Sequence, residues 1–435
     1  MLDQYLHTAS VAADLLAPRT SHQRPHPAAP ATAMPPFPDA AEARGWLDAE
    51  RVNLVAAVAL AAESGRPAHA TGLAVTLRQY LDGGTHHVDA LAVHGHALAA
   101  ARADGDRAGE GTALQNIAKV CWRVGRYDEA YEKLSSALPI HRAAGDAPAE
   151  ASALETLGAT CYSLNRYDDA TAFYRQAVPI HRAAGDTVAE ATALNNIGVI
   201  EERRGRYREV LSLCREALAI YRAHGDRTHE AGALCNAGNA LWRLGRYDEA
   251  LDHLTRSLVI HEEIGDPGWV AHNLTSLGNV LSSLGRHAAA VEHCDRALAL
   301  QRRTGERADE AATLSDRGVI HRALGHHRQS LDDLTEALAI AHEIGDRSLE
   351  SQALNGLGET LRAMDRPAEA ASRHAAALEL ARETGDRHEE ARSHDGLAAS
   401  VADPSAAREH RGRAIAIYTD LDVPEARRPA APIGG

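Results

Sequence analysis

Hydrophobic positions in this chain follow a helical rhythm, with no sustained alternation of β-branched residues that would read as strands. From residue 106 to 385 that rhythm returns every 40 residues without an insertion. Ala130, Ala170, Ala250, Ala290 and Ala370 share one slot, and Ala137, Ala177, Ala217, Ala297, Ala337 and Ala377 share another, seven residues later. Gly158, Gly198, Gly238, Gly278, Gly318 and Gly358 recur in a third. A glycine inside a helix costs about 1 kcal/mol relative to Ala. Its repetition therefore predicts a close helix contact at each copy.

Turn residues punctuate the same period. Gly-Asp recurs at 105–106, 145–146, 185–186, 225–226, 265–266, 345–346 and 385–386, with Gly305-Glu306 in the remaining place. Midway stand Gly125-Arg126-Tyr127, Asn165-Arg166-Tyr167, Gly205-Arg206-Tyr207, Gly245-Arg246-Tyr247 and Gly285-Arg286-His287, followed by Gly325-His326-His327 and Asp365-Arg366-Pro367. Gly suits the left-handed residue that ends a helix, and the next Asp can cap the following one. Each period thus predicts two antiparallel helices. Residues 106–385 hold seven such hairpins.

The spacing of Leu157-Gly158, Ala170 and Ala177 resembles the tetratricopeptide repeat, as do Leu277-Gly278, Ala290 and Ala297. The period of 40 exceeds the usual 34 and resembles the longer variant of kinesin light chains and the Pins/LGN adaptors, down to Leu277-Gly278-Asn279. The resemblance implies an all-α fold, a right-handed α-solenoid (superhelix) of antiparallel helix hairpins. Flanking it, residues 1–17 read as a short helix, 18–38 as a Pro-rich linker, and 39–105 as a helical cap with a degenerate repeat. Residues 386–422 read as a degenerate capping repeat broken at Asp403-Pro404, and 423–435 as a disordered tail.

The opening segment carries a second resemblance. Tyr5-Leu6-His7-Thr8-Ala9, the proline linker and the helix from Trp46 to Ala57 resemble the start of the repeat region in actinobacterial regulators of the antibiotic regulatory protein and signal-transducing ATPase class. That class implies nucleotide-binding and DNA-binding modules, which the sequence lacks. No Lys follows a Gly, so no phosphate-cradling G-x-x-x-x-G-K loop exists. The expectation is either the sensor half of such a regulator or a stand-alone relative.

Composition narrows the function. A net charge of −14 argues against direct nucleic-acid binding, and no run of apolar residues is long enough to span a membrane. Five cysteines without C-x-x-C spacing, and no secretory signal, point to a reduced, cytoplasmic protein. The 25 histidines include no H-E-x-x-H. His141, His181 and His261 are copies of one repeat slot, too far apart to share a metal. With no G-x-S-x-G elbow either, no catalytic residue, metal or cofactor is expected. The remaining function is binding a protein or peptide, with self-association left open. The family places the first helix of each hairpin on the inner groove, which by position would present Trp122, Tyr162, Asn195, Asn239, Trp242, His272, Asn279, Arg322 and Asn355. Asn can bond a peptide backbone through donor and acceptor, and Trp and Tyr are frequent interface anchors.

Overall fold

The computed structural model describes residues 1–18, 24–28, 37–83 and 86–427. These form twenty α-helices and no strand, in two compact units, Met1–Gly185 and Asp186–Gly435.

In the first unit, α1 (Leu2–Leu16) packs on α2 (Ala40–Glu63) and α3 (Pro67–Asp82), and α4 (His87–Asp104) follows. Leu47, Leu54, Leu73, Leu77 and Leu81 form their shared core. Residues 19–23 and 29–36 of the expected linker lie outside the described residues. Its Arg24 is buried and donates to Asp14 Oδ1 and to the Ala17 carbonyl, both at 2.7 Å. Two hairpins complete the unit: α5 (Arg107–Arg123) with α6 (Tyr127–Ala144), then α7 (Ala147–Ser163) with α8 (Tyr167–Ala184).

The second unit contains six hairpins. They are α9 (Thr187–Arg203) with α10 (Tyr207–His224), α11 (Arg227–Arg243) with α12 (Tyr247–Ile264), and α13 (Pro267–Ser283) with α14 (His287–Thr304). Next come α15 (Arg307–Ala323) with α16 (His327–Ile344), α17 (Arg347–Ala363) with α18 (Pro367–Thr384), and α19 (Arg387–Ser400) with α20 (Pro404–Leu421).

The turn chemistry fixes these boundaries. Gly225 has φ 66°, and the Asp226 amide reaches back to the Tyr221 carbonyl at 2.9 Å, closing α10. Asp226 Oδ1 then accepts the His229 amide at 3.1 Å, opening α11. Glu306, the one departure from Asp, makes no side-chain cap bond. Asn165 and Asp365 adopt positive φ where the other copies have Gly, a conformation these two residue types tolerate.

The recurrent glycines mostly mark close contacts. A Cβ on Gly238 would stand 2.6 Å from Leu254 Cγ, and one on Gly318 2.7 Å from Leu334 Cγ. Gly198 departs from the pattern: its nearest neighbours would be 3.9 Å away, so α9 and α10 leave room there. In the second unit the first helices of successive hairpins touch one another, whereas the second helices do not approach to the same extent. The unit therefore curves with its first helices inside.

Its carboxy-terminal end folds back on its beginning. Tyr418, Leu421 and Val423 share one apolar cluster with Tyr207, Val210 and Cys214. Leu421 lies directly over Gly205, and Arg208 pairs with Asp422 at 2.8 Å. The sequence reading of a disordered tail from Val423 is corrected here, because Pro424–Arg427 form a 3-10 turn packed against Gly245. Residues 428–435 lie outside the described residues. Among the described residues, no helix is long and apolar enough to cross a membrane.

Candidate functional site

The inner face of the second unit is built from one stripe on each of α9, α11, α13, α15, α17 and α19. Side chains three to four residues apart share a helix face, and each helix contributes one or two groups. Glu202, Asn239, Arg243, His272, Asn279, Asp316, Arg322, Glu359 and Arg392 occupy these stripes, partly covered rather than open to solvent.

Two polar chains cross the stripes from helix to helix. Asn279 Nδ2 donates to Asp316 Oδ2 at 2.7 Å, and Gln352 Nε2 donates to Asp316 Oδ1 at 3.2 Å. Arg322 Nη2 meets Glu359 Oε2 at 2.8 Å, and Arg392 Nε meets Glu359 Oε1 at 2.6 Å. Arg392 Nη1 also reaches Glu389 Oε1 at 3.3 Å.

The electrostatics record how enclosed this face is. Burial pushes the Asp316 carboxyl up to about 6, against the hydrogen bond from Asn279 and the charge of Arg243. Burial likewise raises Glu202, against the charges of Arg203 and Arg243. At Glu359 burial is outweighed by Arg392 and Arg322, which hold the carboxyl down at about 2. Burial weighs against the Arg243 guanidinium but is outweighed by the carboxylates of Glu389, Asp386 and Glu202, and its Nη1 lies 3.5 Å from His388 Nε2 on α19. Charges on α11 and α19 thus face each other across the curve.

The expected groove residues divide into four groups. Asn239, Trp242 and His272 stand on adjacent stripes. Asn239 reaches only Cys235 Sγ on its own helix, at 4.0 Å. Trp242 Nε1 donates to Ser283 Oγ at 2.8 Å, with the Arg243 guanidinium 4.4 Å above the ring. His272 meets the edge of Trp269. Asn195, Asn279 and Arg322 form the second group, tied to neighbouring hairpins; Asn195 Oδ1 accepts from Asn236 at 3.2 Å.

Asn355 departs from the expectation. It has 0% exposure, donates to Glu389 Oε2 at 2.9 Å and is bonded to His374 and Ser393, so it is a packing residue. Trp122 and Tyr162 belong to the first unit. Trp122 is 37% exposed, and Tyr162 is half-buried against the Tyr167 ring.

Sequence reasoning missed Arg243, Asp316 and Arg392. Asp316 sits in a slot that holds Asn196, Asn236 and Ser276 in earlier copies, so a charge there was a visible departure. Arg392 is the eighth copy of the His272 slot, hidden because the regular frame was ended at residue 385. Among the described residues, no three His, Cys, Asp or Glu side chains converge as a metal site requires. What the face offers is hydrogen bonding and charge.

A tetratricopeptide repeat profile matches residues 111–183, 189–263 and 269–343, and a second matches 353–387. These cover more than half of the sequence, and the chain belongs to the tetratricopeptide repeat family. A search of curated proteins finds no match. Among solved structures, aspartyl phosphate phosphatase F from Bacillus subtilis is 14% identical, with a TM-score of 0.51 over 93% of this chain and 98% of that one. The apo quorum sensor NprR from B. thuringiensis is 12% identical, with a TM-score of 0.49 over 87% and 99%. BtubC from P. vanneervenii is 20% identical, with a TM-score of 0.44 over 51% and 93%. At these identities the likeness is one of fold.

Proposed function

We propose that the inner face of the second unit binds an extended peptide segment of a partner protein, and that the chain serves as the sensor or regulatory repeat module of a bacterial signalling or transcriptional regulator. The observation that carries the first part is the row of Asn239, Trp242 and His272. Asn239 and His272 keep their polar groups free of bonds to neighbouring hairpins, so they can serve a peptide backbone. Glu202, whose carboxyl burial raises, and Arg243, whose charge the neighbouring carboxylates support, stand beside them. The regulatory part rests on the resemblance of residues 2–60 to the opening of the repeat region in actinobacterial regulators. As a repeat scaffold the chain acts by binding rather than by catalysis, in the cytoplasm.

A second reading, a free-standing adaptor that bridges two proteins, is favoured by one feature: the first unit presents its own exposed aromatic, Trp122.

Peptides selected against the full chain from a random display library test the site. The double variant Asn239→Ala/His272→Ala removes two partners worth about 0.5–1.5 kcal/mol each, so affinity should fall about 5- to 150-fold. Arg286→Ala/His287→Ala, in the α13–α14 turn, should leave it intact. Loss in the turn variant with retention in the double variant would place recognition on the array's edge.

A further inference from the structure

The Arg322–Glu359–Arg392 ladder has an unbonded counterpart on the same inner face. Glu202, Asn239 and His272 each stand 120 residues earlier, three full periods of 40. The repeat therefore sets them at the same relative levels on α9, α11 and α13 as the ladder holds on α15, α17 and α19. In the ladder, two guanidiniums converge on one carboxylate at 2.8 and 2.6 Å. In the counterpart, no hydrogen bond joins the three side chains, although His272 is near enough to act on the Glu202 carboxyl through space.

Each member of this counterpart has an acceptor to spare. The Glu202 carboxyl has no bonded partner among the described residues. Asn239 turns its amide nitrogen to Cys235 Sγ at 4.0 Å and leaves its oxygen free. The His272 ring meets the edge of Trp269, and neither of its nitrogens is bonded among the described residues. An uncharged imidazole offers one lone pair. All three residues are partly exposed, so a ligand can reach them.

What the counterpart lacks is the positively charged donor that the ladder has twice. Arg203 and Arg243 act on Glu202 through space without bonding it, and Arg243 lies instead over the Trp242 ring and beside His388. Burial weighs against the Glu202 charge, and a bonded cation would offset that cost. An ammonium carries three N–H donors and no acceptor. That number matches one carboxylate, one amide oxygen and one imidazole lone pair.

We infer that Glu202, Asn239 and His272 form a receptor for an ammonium group, carried by a lysine side chain or by the amino terminus of the bound segment. The inference rests on the reading of the inner face as a peptide site and adds the chemistry that selects the peptide.

The test titrates the full chain, at pH 8 and constant ionic strength, with three small amides. N-acetyl-lysine methylamide carries a side-chain ammonium, glycine methylamide a terminal one, and N-acetyl-norleucine methylamide none. Binding is followed by the ring ¹H–¹³C resonances of His272, identified by their loss in His272→Gln. An ammonium probe should shift them saturably and the norleucine amide should not; the tighter of the two ammonium probes names the source. Glu202→Gln keeps the shape and removes the charge, so it should weaken that probe about 10- to 150-fold. Asp252→Asn, at an exposed carboxylate on α12, should leave it unchanged. The wild-type comparison of charged and uncharged probes decides the matter if a variant fails to fold. No saturable shift with either ammonium, equal binding of the norleucine amide, or unchanged affinity in Glu202→Gln would overturn the receptor. Display-selected peptides that still weaken in Asn239→Ala/His272→Ala would then leave the peptide site standing. Ammonium binding beside peptides indifferent to that double variant would instead support the receptor and overturn the peptide reading.

Discussion

Pro424 stands over Gly245 so closely that a Cβ on that glycine would lie 2.7 Å from Pro424 Cγ. Leu421 occupies the corresponding place over Gly205, one hairpin earlier. The fold-back of the carboxy-terminal segment therefore uses the bare backbone of two repeat turns as its seat. Its effect shows in Tyr207, which is buried, whereas its repeat equivalents Tyr127, Tyr167 and Tyr247 are only half-buried.

Leu421→Ala should consequently destabilise the second unit by about 2 kcal/mol, toward the low end for truncating a buried Leu. Hydrogen exchange should quicken over residues 205–215, while residues 287–304, outside the contact, keep their protection. The Arg208–Asp422 pair is exposed, so Asp422→Asn should change stability by less than about 1 kcal/mol. Equal exchange effects in both segments would show that the fold-back is not a separate layer of stability.

Gly238 and Gly198 occupy the same slot but should respond oppositely. Gly238→Leu would drive into Leu254, and such overpacking typically costs about 1–3 kcal/mol. Gly198→Ala meets only ordinary contacts at 3.9 Å. It should gain up to about 1 kcal/mol from helix propensity. Thermal melts of the two variants check the sign of each change.

Asp316 and Glu359 set opposite pH dependences. A carboxyl raised to about 6 in the folded chain binds its proton more tightly than when unfolded. Its penalty is complete above that value and disappears as pH falls through the ordinary range near 3.8. Asp316→Asn should therefore stabilise the protein by about 2 kcal/mol at pH 8 and hardly at all below pH ~4. Glu359, held at about 2, contributes stability above its ordinary 4.5 that is lost as pH falls toward 2. Glu359→Gln should cost about 2–3 kcal/mol at neutral pH, with the difference vanishing in acid. Denaturant midpoints measured from pH 3 to 8 separate the two.

The helices, their caps and the hairpin pairing were legible in the sequence because each rests on local chemistry. Asp226 caps α11 and Gly225 ends α10 through contacts within a few residues. The inner face was legible only in part. Its slots followed from the period, but which side chains would bond across hairpins did not. Asn355 and Asn195 occupy the same slot, yet Asn355 is sealed by Glu389, His374 and Ser393 whereas Asn195 is only partly covered. That difference depends on an eighth repeat whose sequence had drifted from the template. The seat of Leu421 on Gly205 was beyond pattern reading altogether, since both glycine turns already had a sufficient local explanation.

A repeat array ordinarily assembles by zipping, each hairpin settling on the one beside it. Arg208 and Asp422 are 214 residues apart, and their meeting requires every intervening hairpin to be in register. Closing so long a loop adds an entropic cost that grows only slowly with length. The delay comes instead from the need for a finished arc. The fold-back thus acts as a completion signal: until the last hairpin is in place, the Tyr207 ring remains uncovered, a sticky patch by which an unfinished chain would be told from a finished one.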